Sequence, residues 1–513
     1  MLRIAKRADH RPADPREARK LVSELPSGDP VPSLEQIVVW IETLTALPEV
    51  RLDRRFDSIG VFEEAATLLE RRVARDYGRS GRLPAVREQR MWSAAHRLWH
   101  QLAVAYQLCM MEYDAGVSGA ASLQLRAPVM GCHAMRGLRK EMKWVLLRHG
   151  RVDGRVWQEA ARIYEVAHAR AFARKEVTLH PGQAGRSTVE RELVKMLLLA
   201  ISSPESLPPL QLEIAAHLVS RCAEFVPLEV DRNADATHIF DVAADQPPRR
   251  ASPEDAGTSL RYLGSHGALP HLERISKDLA QQGAADGIAF GGYEPRMVRE
   301  VAQHLTLYWS AKPPTRESER HPAMARVNVV PAFQGLLDAL QGYVGGPFVD
   351  DVTESWVAEN VSRGGYGAVI SHVKGDWVRV GSLVAIKPES APVWGVGVVR
   401  RMSRDETRKC RVGIESFSKA AIPVHVVAAG TPISANPSDH FPNAAVLGLN
   451  LKCSGEVDLV MEAGAFSSRL AVEMVVRGVV YSLTPVGFVE GGDDFDIARY
   501  RIEPREPSSP GVL

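Results

Sequence analysis

The sequence predicts a multidomain α + β protein. An N-terminal all-α helical bundle or short solenoid is followed by a C-terminal antiparallel β-barrel with extra strands. Three observations carry this. The chain has 513 residues, more than one hydrophobic core usually serves, so about two to four domains are expected. Up to about residue 226, apolar residues recur at helical spacing. Beyond about residue 322 the pattern changes to short β-branched runs separated by turn residues, which reads as a sandwich or barrel.

The elements follow in order. Residues 1–30, beginning "MLRIAKRADHRPADPREARK", are basic and polar and lack the apolar stretch of a secretory leader; they read as a short mobile tail. The helical domain spans 31–226. In "SLEQIVVWIETLTAL" the apolar positions Leu34, Ile37, Val38, Ile41, Leu44 and Leu47 share one helix face. "MWSAAHRLWHQLAVAYQLCMMEY" continues the pattern over several turns. "RSTVERELVKMLLLAIS" carries a capping box, with Ser187 at the cap and Glu190 reaching back. "SSPESLPP" breaks the chain and "LQLEIAAHLVSRCAEF" forms a second helix, an αα-hairpin. Residues 227–315 are a mixed α/β segment and linker, ending in the Pro-punctuated "AKPPTRESERHP". Residues 316–430 make a β-barrel holding one helical insert, "AFQGLLDALQGYV". Residues 431–505 add strands that either extend this barrel or close a second small one, and 506–513 form a tail.

Composition removes several function classes. The formal net charge is +1, so no overall field points to a nucleic acid polymer; a small anion needs only a local basic cluster. Cys109, Cys132, Cys222, Cys410 and Cys453 are scattered without a CxxC pair. That argues against a disulfide framework or structural zinc and for reduced thiols in a cytoplasm. No apolar run approaches the roughly 20 residues of a membrane span. "FGGYEP" and "RGGYGAV" lack the lysine of a P-loop, and no Gly-x-Ser-x-Gly elbow occurs. No catalytic set, cofactor or metal site is expected. His96 and His100 share a helix face, but Arg97 stands where a zinc protease has glutamate; they read as a packed or surface pair. Cys132–His133 has no partner signal, Trp92 and Trp99 read as core, and "QPPRR" reads as a loop.

The informative stretch is "NVSRGGYGAVI", Asn360 to Ile370, where a polar, glycine-rich turn interrupts a β pattern. Asn360, Ser362 and Gly365 form an Asn-x-Ser-x-x-Gly turn, and Arg316 and Arg320 in "RESER" form Arg-x-x-x-Arg ahead of the barrel. "WGVGVVRRMSR" and "RVGIESF" follow in order. Residues 316–418 thus resemble the PilZ domain, the bacterial receptor module for cyclic di-GMP. The chain differs from that family in a longer stretch between the two marks, which holds the helical insert, and in one extra residue in the closing strand. The resemblance implies a non-enzymatic, cytoplasmic cyclic di-GMP effector, with Arg316, Arg320, Asn360, Ser362 and Gly365 at the ligand and a protein partner on the helical domain. The alternative is a scaffold whose barrel no longer binds.

The residue chemistry suits that ligand. A guanidinium can fork onto a phosphate, donate to the O6/N7 edge of guanine, or stack on a base. Asn360 and Ser362 donate and accept at short range. Gly364, Gly365 and Gly367 lack Cβ atoms and let backbone and ligand approach. Ligand closing over the Arg316–Arg320 segment is expected to order it and to change what the helical domain binds.

Overall fold

The first helix starts inside the stretch that the sequence presents as a tail. The computed structural model describes residues 11–79, 83–180, 185–282, 292–314, 321–342, 353–370, 377–405, 409–431, 441–448, 455–476 and 479–504. In α1 (Pro15–Ser23) the Asp14 carboxylate accepts the Arg16 amide at 2.7 Å, and proline takes the first helical position. Ala18 and Leu21 are buried. The tail reading of residues 1–30 is therefore corrected: charge on three sides of a short helix hid one apolar stripe.

Two compact units make up the chain, Met1–Thr315 and Arg316–Leu513. In the first, α2 (Pro30–Ala46), α3 (Leu52–Arg79), α4 (Ala85–Asp114), α5 (Ala127–Leu146), α6 (Gly154–Ala169), α7 (Val189–Ile201) and α8 (Pro209–Cys222) surround one core. The predicted stripe of α2 is buried at Leu34, Ile37, Val38, Ile41 and Leu44. Helix α5 is the most enclosed and packs on α4, α6 and α7. Its charged residues are buried too, so each requires a partner. Arg139 donates to Glu192 at 2.9 Å, and Lys143 reaches Glu213 at 2.8 Å and Glu70 at 3.3 Å.

The cap of α7 differs from expectation. A two-stranded ribbon, β1 (Val177–Thr178) and β2 (Arg186–Ser187), holds Ser187 extended. Thr188 is the cap and accepts the Arg191 amide at 2.9 Å. Arg191 then stands where the box needs glutamate. Ser187 instead donates to Glu192, and Glu190 pairs with Arg174.

No boundary falls at residue 226. Strands β3 (Leu228–Glu229), β4 (His238–Asp241), β5 (Arg249–Arg250) and β6 (Leu260–Leu263) form an antiparallel sheet in the order β3-β6-β4-β5. The "QPPRR" arginines are its edge strand. Helices α9 (Leu269–Gln282) and α10 (Pro295–Trp309) add Leu272, Leu279, Val298, Val301, Leu305 and Trp309 to the core of α1–α8. The Trp309 indole donates to Ser202 Oγ at 2.9 Å. Residues 227–315, read from sequence as a separate mixed segment, thus share the helical core.

The second unit holds two closed six-stranded antiparallel barrels. The first comprises β7 (His321–Pro331), β8 (Glu354–Ser362), β9 (Gly365–Ile370), β10 (Leu383–Pro388), β11 (Gly395–Arg404) and β12 (Cys410–Ser418), with α11 (Phe333–Leu340) after β7. The second comprises β13 (Ala421–Ala428), β14 (Ala444–Leu447), β15 (Gly455–Glu462), β16 (Val472–Val476), β17 (Val479–Gly491) and β18 (Phe495–Pro504). Pairing runs β7-β8-β9-β12-β11-β10 in one and β13-β14-β15-β18-β17-β16 in the other. Strand for strand, the two topologies are the same. The first barrel ends at Ser418, not near 430, because β13 pairs with β14 and β16.

Helix α11 sits between the barrels. Phe333, Leu336 and Leu337 share an apolar cluster with Val396 and Val398 of one and Val460, Phe495 and Ile497 of the other. Asp494 caps α11 by accepting the Phe333 amide at 2.7 Å, and Arg400 forks onto Glu490. The helical insert is therefore the packing element that joins two copies of one topology. No helix among the described residues is long and apolar enough to cross a membrane.

Candidate ligand-binding site

The Asn-x-Ser-x-x-Gly stretch is the β8–β9 hairpin. Ser362 pairs with Gly365, Val361 with Tyr366 and Asn360 with Gly367, around a turn at Arg363–Gly364. The register shifts between Ala358, which pairs with Ala368, and Asn360. Glu359 is the extra residue of this bulge. Strict alternation would put Asn360 on the inward face of Ala358; the bulge re-aims it outward, opposite Gly367.

Across the sheet the outward positions are nearly bare. Gly367 pairs with Gly413 of β12, and Gly413 pairs with Arg401 of β11. The neighbours Ala368, Val412, Ile414 and Met402 all face the barrel core. Two glycines thus floor a trench, walled by Asn360 on one side and Arg401 on the other. Three interstrand spacings make it about 14 Å from β8 to β11. A Cβ on Gly367 would lie 2.4 Å from Asn360 Oδ1, and one on Gly413 would lie 3.5 Å from Arg401 Cβ.

The walls carry unused polar capacity. Asn360 Oδ1 is buried with no hydrogen-bond partner among the described residues, a cost of about 1–3 kcal/mol. Arg401 is half-buried and makes no ion pair or hydrogen bond among the described residues. Carboxylates at the margin are neutralised: Glu359 by Arg411 at 3.6 Å and Glu415 by Arg400 at 2.6 Å. An anion in the trench would therefore meet Arg401 without a facing unpaired acid.

The remaining expected residues divide. Ser362 Oγ donates to the Gly365 carbonyl over a long 3.4 Å, so its hydroxyl is weakly held. Gly365 is buried, and its Cβ would fall 1.9 Å from the Ile414 carbonyl oxygen. Close approach of two strands, not of a ligand, requires glycine there. Arg316 and Arg320 lie outside the described residues. Strand β7 begins beside the hairpin, however: His321 pairs with Val361 and Pro322 with Asn360. Arg401 was missed in the sequence because "VVRRMS" gives no sign of which arginine faces out; the bulge between Val399 and Arg401 decides that. A nearby cavity of about 180 Å³ is lined by Tyr366, Ile386, Gly395, Ser416 and Lys419 among others, below the roughly 300–1,000 Å³ of ordinary small-molecule pockets.

The helical unit supplies no nucleophile at the positions considered. Burial pushes the Cys132 thiol well above its ordinary range, and His133 turns to Glu63 rather than to its neighbour. His96 and His100 stack with ring planes 3° apart, and His100 Nδ1 lies 3.2 Å from Glu141. Trp99 is fully buried, and the Trp92 indole donates to the Trp144 carbonyl at 2.7 Å.

Comparison with curated proteins gives no match. Residues 16–234, less than half of the chain and wholly inside the helical unit, match the family model described as the cyclic-di-GMP receptor FimW, N-terminal domain.

Proposed function

We propose that this protein is a cyclic di-GMP receptor of the PilZ type, with the ligand seated on the trench between Asn360 and Arg401. The observation that carries the reading is the buried, unpartnered Asn360 Oδ1 beside Gly367. A bulge and a glycine together hold the Asn360 amide where its unsatisfied oxygen costs the barrel stability, as a preformed binding group would. Support from a separate part of the chain is the match of residues 16–234 to a cyclic-di-GMP receptor's N-terminal domain.

Chain connectivity adds the two arginines of the segment. Arg320 precedes His321, whose pairing with Val361 puts the strand start beside the hairpin. One Cα step is about 3.8 Å, and the five residues back to Arg316 span at most about 18 Å. Both guanidiniums can therefore reach a ligand in the trench. Asn360 would accept a guanine N–H, Ser362 and Arg401 would meet phosphate oxygens, and Arg316 and Arg320 would close over the ligand. Because Arg316 and Arg320 directly follow the helical unit in sequence, binding would couple the barrel to a protein partner of the helical unit. The reading requires no catalysis, and its site is cytoplasmic.

Calorimetric titration of the purified chain with cyclic di-GMP tests this. Binding that Arg316→Ala or Arg320→Ala abolishes and Ser362→Ala weakens is expected, with protection of the 311–322 segment from protease. The rival, a scaffold with a non-binding barrel, draws on the family match lying wholly in the helical unit. A folded chain that gives no heat and no protection with cyclic di-GMP would select it.

A further inference from the structure

Away from the barrels, the helical unit gathers three metal-ligating side chains that neither the trench nor the family match uses. Glu63 comes from α3, His133 from α5, and His180 follows β1. Their side chains are 1%, 4% and 3% exposed, and one ligand atom from each lies within 4.8 Å of the others. His133 Nδ1 is 2.6 Å from Glu63 Oε2, and His180 Nε2 is 3.8 Å from Oε1.

Hydrogen bonding sets up these atoms as donors of electron pairs. His133 Nε2 lies 3.2 Å from the Leu179 carbonyl. A carbonyl only accepts, so Nε2 donates there and Nδ1 is the nitrogen turned to Glu63, the orientation common in metal-binding histidines. The Tyr106 hydroxyl donates to Glu63 Oε2 at 2.7 Å, and its ring stacks on His133. These contacts fix the carboxylate and the imidazole facing each other. His180 Nε2 is buried and makes no hydrogen bond among the described residues.

A ring nitrogen 2.6 Å from a carboxylate oxygen needs a positive species between or beside them. A proton on His133 would satisfy that pair but would leave His180 Nε2 alone. A cation that takes several ligands would collect all three. We propose that Glu63, His133 and His180 bind one divalent transition-metal ion of the zinc class. Two imidazole nitrogens and one carboxylate oxygen are a borderline donor set suited to such ions. Tetrahedral bonds of about 2.0–2.2 Å set ligand atoms about 3.4 Å apart, so the His133–Glu63 pair, at 2.6 Å, must open slightly while His180, at 3.8 Å, draws in. The ion would clamp the segment around β1 to α3 and α5. Arg136, whose Nε lies 3.9 Å from Glu63 Oε1 and whose guanidinium rests over Trp99, is the charge that opposes the ion and tunes its affinity.

The test uses the full chain, stripped with a chelator and reloaded with Co²⁺ or Zn²⁺. About one ion per chain is expected, with visible Co²⁺ absorption. Retention should fall at least tenfold in His180→Gln and His133→Gln, stay unchanged in His96→Gln and rise in Arg136→Met. X-ray absorption of the zinc-loaded wild type should show imidazole scattering and no sulfur, a readout that stands even if a histidine variant misfolds. Substoichiometric uptake by folded wild-type chain, sulfur ligation, or uptake indifferent to His180→Gln in a folded variant would each overturn the proposal.

Discussion

Two glycines in the same hairpin should respond in opposite ways to one added methyl. At Gly365 the backbone has φ +158°, and the new Cβ would sit 1.9 Å from the Ile414 carbonyl oxygen. That oxygen belongs to a paired strand and cannot swing aside, so the β9–β12 ladder must part locally. Strain of about 1–3 kcal/mol and a lost backbone hydrogen bond of about 1 kcal/mol give about 3 kcal/mol. At Gly367 the new Cβ would meet the Asn360 amide at 2.4–2.8 Å, the end of a side chain that can rotate. The stability cost there should stay under about 1 kcal/mol, while the trench is blocked and Asn360 is displaced. Hydrogen exchange of the full chain reads both. In Gly365→Ala, peptides from 365–370 and 410–418 should exchange about two orders of magnitude faster, since about 1.4 kcal/mol is tenfold. In Gly367→Ala they should change less than about tenfold, yet cyclic di-GMP binding should be lost. Equal exchange in the two variants, or full binding by Gly367→Ala, would refute the assignment of one glycine to the ladder and the other to the ligand.

Further outcomes concern both units. Asn360→Ala should weaken cyclic di-GMP binding while leaving the unliganded barrel as stable as before or up to about 1 kcal/mol more so, because it removes an unsatisfied buried acceptor; marked destabilisation measured by hydrogen exchange would count against that. Arg401→Ala should lower affinity about tenfold and flatten its salt dependence in calorimetry; unchanged affinity at low salt removes Arg401 from the site. Lys143→Met strips the shared partner from buried Glu70 and Glu213 and should cost about 3–5 kcal/mol, read as a large fall in the helical melting transition, whereas the exposed Lys20–Glu17 pair should tolerate Lys20→Ala. Acid should act on the same helices. Burial alone would raise the Glu70 and Glu192 carboxyls, but Lys140 and Lys143 around one, and Lys195 and Arg139 around the other, hold both well below the usual range. Stability from these depressed groups is complete above the unfolded value of about 4.3 and drains away as pH falls below it; circular dichroism melts that do not move between pH 5 and pH 3 would contradict this.

Local periodicity determined much of this protein from the sequence alone. The α2 stripe, the helix of "RMVREVAQHLTLYWS" and the strands from "ARVNVV" to "RVGIESF" all stand where apolar spacing puts them, because side-chain burial follows the 3.6 and 2.0 repeats of the backbone. The Asn360–Gly365 turn was legible for the same reason, as a polar break in an alternating run. What tertiary structure decided were matters of register and long-range meeting. Only a one-residue bulge turns Asn360 outward, and only strand pairing brings Gly413 and Arg401 beside Gly367. The second barrel repeats the first in topology although its strands share no spacing that betrays it. Glu63, His133 and His180 meet from three distant parts of the chain. Sequence spacing records neighbours along a backbone, whereas a site is made by whatever the folded core brings within a few ångströms.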